Sequence, residues 1–334
     1  MLVPQQLLHT VVFLGQRTAT EVEMGGTAFF VSVPYVSEPE YRHVYLVTAR
    51  HSIDHRSDLV ARINRPAGMA IVTRPDAENE FDINKAGTLP LDLPDGDDPF
   101  WLTHPGPEGG EDYVDVAAVK VPDLTAVVAH AAGYGWVPMS MFFSESVLGD
   151  DPASGVGIGD EVVAIGLLTV YYGQEKNEPV MRTGNLAMTP AEPVLVRYKQ
   201  GRPSRRMRLY LTELRSISGL SGSPVFVRHR SEVGAPFTQV SLLGVMIGHW
   251  DDPDANHMGF GKVVPARLIA EVINQEAEVK KREKEEREKL EAGGSAVEDS
   301  ALGETEFERF EKALDEMVNT SKPQDDEKER RRGA

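Results

Sequence analysis

Up to about residue 265 the apolar positions fall in short runs broken by Gly, Pro, Asp and Asn, and few stretches carry a helical period. This pattern predicts an all-β body. In the first half strands are expected near Leu8–Gly15, Gly26–Val33, Val44–Thr48, Asp58–Asn64, Met69–Arg74 and Val114–Val121, enough for a small closed barrel. In the second half the runs are Glu161–Leu168, Thr183–Met188, Val194–Lys199, Met207–Thr212, Pro224–Arg228, Val240–Ile247 and Gly259–Val264, which fit a second barrel. A faint echo between Gly26-Thr-Ala-Phe-Phe-Val31 and Gly222-Ser-Pro-Val-Phe-Val227 hints at two related halves. The barrels are expected over about 1–125 and 150–265. Residues 75–112, rich in Pro, Gly and Asp, read as an acidic insertion too long for a hairpin loop.

After Pro265 the texture changes. ARLIAEVINQEAEVKKREKEEREKLEA favours helix, but its apolar residues fade after Val279, so the second half reads as a solvated helix. Residues 292–303 read as a flexible linker. In 304–319, Phe307, Phe310, Leu314, Met317 and Val318 recur at helical spacing, a stripe that needs cover from the body, a protein partner or a second copy. The expected organisation is thus a 1–270 body and a charged helical tail over 271–334.

Charge and composition narrow the function. The net charge is −17; residues 271–334 hold 20 acidic and 13 basic side chains, which leaves −10 for the rest. No basic face suits a phosphate backbone or an acidic membrane, so neither nucleic acid nor membrane is expected as a partner. No cysteine is present, which excludes disulfides and thiolate metal sites. The first residues lack a basic region followed by a clean apolar core, the first positive residue being Arg17, and no apolar run is long enough to span a bilayer. Together these predict a cytoplasmic protein.

Candidate chemistry centres on SISGLSGSPVF, where small residues surround Ser221. A serine nucleophile needs an imidazole to take its proton, a carboxylate to fix the imidazole's tautomer, and N–H groups aimed at the developing oxyanion. His51, directly after the apolar run VYLVTAR, can supply the base. Asp115, heading the alternating run DVAAVKV, can supply the carboxylate, with Asp112 as the main competitor and Asp82 a weaker one. In Gly219-Leu220-Ser221-Gly222 the residue without Cβ lets the chain turn so that the amides of Gly219 and Ser221 point into one hole. His249 and His257 flank the acidic loop WDDPDAN but show no compact ligand spacing, so no metal is expected.

GTAFFV, YLVTARHSI, DVAAVKV, GIGDEVVAIG, SGLSGSPVFV, LLGVMIGHW and GFGKVVPARLI, in that order over residues 8–270, resemble the chymotrypsin-like serine peptidases, in style the bacterial Deg-type or high-temperature-requirement group. The resemblance implies two perpendicular six-stranded antiparallel β-barrels with the site between them. It assigns His51 as general base, Asp115 as orienting carboxylate, Ser221 as nucleophile, and Gly219 and Ser221 as oxyanion donors, with a polypeptide substrate and no cofactor. It also likens Leu214-Arg215-Ser216 and Met246-Ile247-Gly248-His249 to the walls of a primary specificity pocket, where Arg215 and His249 would favour an acidic side chain. Three features depart from the pattern. Leu220 stands where digestive enzymes carry the aspartate that pairs with a newly cut N-terminus, Ser223 replaces a glycine, and nothing after Pro265 resembles a PDZ domain.

Overall fold

The computed structural model describes residues 5–19, 22–39, 41–64, 88–106, 113–121, 135–149, 155–173, 176–196, 204–214, 218–230, 239–251 and 257–291. All belong to one compact unit, Met1–Ser295; the second unit, Ala296–Ala334, lies outside them. So do the expected strand at 69–74, the linker at 292–303 and the helix at 304–319.

The first half folds as one antiparallel sheet. Its strands are β1 (Val11–Arg17), β2 (Val22–Pro34), β3 (Arg42–Thr48), β4 (Leu59–Asn64), β5 (Thr88–Asp92), β6 (Trp101–Thr103) and β7 (Ala117–Lys120), with β8 (Val137–Pro138) joined parallel to β2. Hydrogen bonding runs β5-β4-β1-β2-β3-β7-β6, so among the described residues this sheet is open, where a closed six-stranded barrel was expected. The two edges, β5 and β6, come from the segment read as an insertion. Runs as short as PLD and WLT between Pro, Gly and Asp present too few alternations to stand out in the sequence.

The second half is a closed barrel of six strands: β9 (Glu161–Gly166), β10 (Val180–Met188), β13 (Tyr210–Thr212), β14 (Pro224–Arg228), β15 (Val240–Asp251) and β16 (His257–Pro265). The small hairpin β11 (Val194–Val196) with β12 (Arg205–Met207) stands outside it, so the single strand expected over 207–212 is in fact two. Strands β1, β3, β4, β9 and β14 are buried almost continuously, whereas β10 alternates, and Gly26 to Ser32 of β2 is buried on both faces. One face is core of the first sheet; the other meets the barrel.

Among the described residues two helices follow Pro265: α1 (Ala266–Ile273) and α2 (Glu276–Glu291). Helix α1 buries Leu268, Ile269, Val272 and Ile273 and touches β15 and β16 as well as β6 and β7, thereby bridging both halves. The solvated reading of the second helix holds for most of its residues but not for one face. Glu278, Arg282 and Glu286, spaced one turn apart on α2, are 6%, 7% and 7% exposed. They are buried because β2 and β3 offer polar partners. Glu278 accepts from the Tyr45 hydroxyl (2.7 Å), Glu286 pairs with His43 Nε2 (3.0 Å) and accepts from the Val36 N–H (3.0 Å), and Arg282 donates to the Ile273 carbonyl that ends α1 (3.2 Å). A charged face can be buried when each charge meets a hydrogen bond.

Candidate active site

Three turns meet where the sheet and the barrel touch. β3 ends at Thr48, and the short helical turn Arg50–Ser52 carries His51 off the sheet. Asp115 sits just before β7, wholly buried. Its Oδ1 accepts the His51 backbone N–H at 2.8 Å and its Oδ2 lies 2.7 Å from His51 Nδ1. The Arg50 N–H also reaches the Asp115 carbonyl, at 3.4 Å. Since a carboxylate only accepts, Nδ1 carries the proton in this pair and Nε2 is left as acceptor. The His51 side chain keeps 22% exposure.

Ser221 comes from the loop between β13 and β14 and is half-buried. Gly26 of β2 lies between it and the histidine turn: a Cβ there would stand 3.7 Å from the Ser221 carbonyl oxygen and 3.7 Å from Ser52 Cβ. The loop turns at Gly219 (φ +98°) and Gly222 (φ +89°), values costly for any residue with a Cβ. At Gly219 a Cβ would also press on the Leu167 carbonyl oxygen at 2.9 Å.

Four successive carbonyls of this loop are held. Ser218 O accepts from Thr169 Oγ1 (3.4 Å), Gly219 O from Thr27 Oγ1 (2.7 Å), Leu220 O from the Ser223 N–H (3.0 Å) and Ser221 O from the Thr27 N–H (2.9 Å). The N–H groups of Gly222 and Ser223 are used within the protein, while those of Gly219 and Ser221 have no partner among the described residues. Such pairs of unused N–H groups beside a hydroxyl suit a developing negative oxygen. Leu220 faces inward, fully buried with Tyr210, Leu214, Val225 and Met246.

The structure thus brings His51 and Asp115 into direct contact and places Gly26 of β2 beside both the Ser221 loop and the turn that carries His51. Of the expected pocket residues, Arg215 and Ser216 lie outside the described residues, as do the competing carboxylates Asp82 and Asp112. Ile247 is 4% exposed and His249 is half-buried on β15, facing Gly261 of β16 in register. Between them Gly248 (φ +119°) and, across the ladder, Gly259 (φ +85°) both face open space, with nothing within 4 Å of a Cβ. No group of three or more potential ligands is arranged for a metal among the described residues.

Thr27 and Thr48 were not singled out by the sequence. Thr48 Oγ1 donates to the Thr27 carbonyl at 2.7 Å, and Thr27 Oγ1 accepts the Leu167 N–H at 2.9 Å. Both lie inside the stretches GTAFFV and YLVTARHSI, but threonine is so common in strands that type alone carried no signal.

No family model and no curated protein matches the chain. Among solved structures, the crystal structure of the Rv3671c protease in an inactive form is similar at 17% identity and a TM-score of 0.35, covering 80% of this chain and 88% of that one. A serine-to-alanine mutant of Rv3671c from M. tuberculosis H37Rv, also inactive, is similar at 16% identity and a TM-score of 0.36, covering 80% of this chain and 87% of that one.

Proposed function

We propose that the protein is a serine endopeptidase of the chymotrypsin-like kind, acting on polypeptides without a cofactor. The observation that carries this reading is the two-point grip of buried Asp115 on His51, together with a loop whose Gly219 and Ser221 N–H groups have no partner among the described residues. Ser221 Oγ attacks the scissile carbonyl carbon while its proton passes to His51 Nε2, and Asp115 stabilises the imidazolium. The carbonyl oxygen becomes an oxyanion facing the two N–H groups, a contribution of about 3 kcal/mol for each donor. Collapse breaks the C–N bond as His51 hands its proton to the leaving amine. Water, deprotonated by His51, then releases the acyl group from Ser221 by the same steps.

Leu220 accounts for activity without a cut N-terminus. Where the digestive enzymes use an ion pair, this loop is anchored by an apolar side chain in the barrel core, and full burial of a leucine contributes about 1.5–3 kcal/mol. No helix among the described residues is long and apolar enough to cross a membrane.

Labelling with a fluorophosphonate probe tests the reading. The native protein is expected to label, Ser221→Ala not at all, and His51→Ala only weakly. Folded native protein that shows no Ser221-dependent labelling would overturn it, leaving a protease-fold interaction protein. Cleavage of a peptide library reads the pocket: a preference for Leu, Val or Lys before the scissile bond rules out an acidic preference set by Arg215 and His249.

A further inference from the structure

We propose that Thr27 is the positioning residue of the oxyanion hole, holding the Gly219 and Ser221 N–H groups in register from the opposite half of the molecule. This rests on the peptidase reading and deepens it.

The relative direction of those two N–H groups depends on the backbone dihedrals of Gly219 and Leu220, because the peptides between them are rigid planes. A glycine imposes little on its own dihedrals. Something must therefore fix the Gly219–Leu220 peptide from outside. Thr27 Oγ1 does so by donating to the Gly219 carbonyl at 2.7 Å, and the Thr27 N–H holds the Ser221 carbonyl at 2.9 Å, so one residue grips the loop on both sides of Leu220.

The direction of the hydroxyl is not free. A threonine hydroxyl has one proton, and because Oγ1 accepts the Leu167 N–H at 2.9 Å, that proton is aimed at Gly219 O. Thr27 is itself held, since Thr48 Oγ1 donates to its carbonyl at 2.7 Å, and Thr27 and Thr48 are both fully buried. Thr48 ends the strand that leads into the His51 turn. The base and the hole are thereby referenced to the same two threonines.

Replacing Thr27 by Val keeps the shape and removes the hydroxyl; Thr27→Ser keeps the hydroxyl. A hole that loses its register weakens stabilisation of the transition state more than binding of the substrate. With a peptide substrate, Thr27→Val is expected to lower kcat about tenfold to a hundredfold, with KM within about twofold, since removal of a whole donor costs about a hundredfold or more. Affinity for a peptide aldehyde, which forms a tetrahedral adduct on Ser221, should fall in parallel. Thr27→Ser should recover most of the loss.

Equal losses in both variants would assign the effect to the shape of the side chain and not to its hydroxyl, and a change in KM alone would make the threonine only a join between the halves. Either result overturns the proposal, as does unchanged kcat in folded Thr27→Val. If Thr27→Val does not fold, Thr48→Val removes only the hydroxyl that holds the Thr27 carbonyl and should show the same split with a smaller drop. Native protein that does not label at Ser221 removes the peptidase reading and this proposal with it; native protein that labels, with a Thr27→Val variant labelling equally fast, removes this proposal alone.

Discussion

Asp115 accepts two hydrogen bonds from His51 and has no exposure to water, so in the proposed peptidase its part is to orient His51. Asparagine in its place keeps the volume and can still accept the His51 backbone N–H through its carbonyl oxygen. Its NH2 group then faces Nδ1, which must turn acceptor and carry its proton on Nε2, where the Ser221 proton is to be received. Asp115→Asn is therefore expected to fold normally and to lose about 10⁴-fold in kcat, as a wrong tautomer does in a triad. Steady-state kinetics alongside a melting curve check this; a drop of less than tenfold in a folded variant would remove Asp115 from the role. The residue types at this site are legible in sequence because the chemistry admits few alternatives. A strand threonine such as Thr27 has no such restriction, and its partners Gly219 and Ser221 lie nearly two hundred positions away.

Helix α2 shows why elements were read unevenly. Strand Pro224–Arg228 was legible to the residue because its run is apolar and bounded by turn residues, whereas α2 was read as solvated from its charge. What buries it is a set of partners on β2 and β3 that local pattern cannot reveal. Among them His43 stacks on Tyr35 and meets Glu286 (3.0 Å) and Glu285 (3.8 Å) of α2, with Lys120 of β7 and Arg282 of α2 also near. Burial, aided by Lys120 and Arg282 and opposed by Glu286, lowers the His43 pKa below 6.5. Burial works against the Glu286 charge, but hydrogen bonds from His43 and from the Val36 and Ser37 backbone outweigh it and hold its pKa below 4.5. A histidine depressed in the folded state binds fewer protons there than in the unfolded chain, so its contribution is lost as pH falls below the ordinary histidine value. The glutamate acts in the same direction, its contribution being lost as pH falls below about 4.5 and through its lower folded value. Stability and amide protection of α2 should thus decline from neutral pH downward, in two stages. Hydrogen exchange of residues 276–291 against pH checks it, and His43→Gln, which does not titrate, should flatten the first stage only; an unchanged profile would exclude His43.

The two halves each hold part of the proposed site, His51 and Asp115 in the sheet, Ser221 and its N–H groups in the barrel loop. In the proposed peptidase, activity depends on how the halves are joined as much as on either one. Thr27 is one join, and Arg62 of β4 is another. Arg62 is 3% exposed; its guanidinium donates to the carbonyls of Tyr172 (3.3 Å) and Gly173 (2.8 Å) and lies 5.2 Å from the Tyr172 ring centroid, and its backbone carbonyl accepts from Asn177 Nδ2 (2.6 Å). The segment it holds continues from Leu167 and Thr169, which pack on Gly219. Arg62→Met fills similar space but leaves two carbonyls without their charged donor. Hydrogen bonds to charged groups contribute about 1.5–3 kcal/mol each, so a loss of about 3–6 kcal/mol is expected. Because the loss falls at the junction, Ser221 labelling should fail at a lower urea concentration than the tryptophan fluorescence transition, whereas in the native protein the two should coincide. Coincident transitions in Arg62→Met, shifted together, would instead mean that the sheet and the barrel unfold as one unit, with the join contributing to overall stability but not separately to the site.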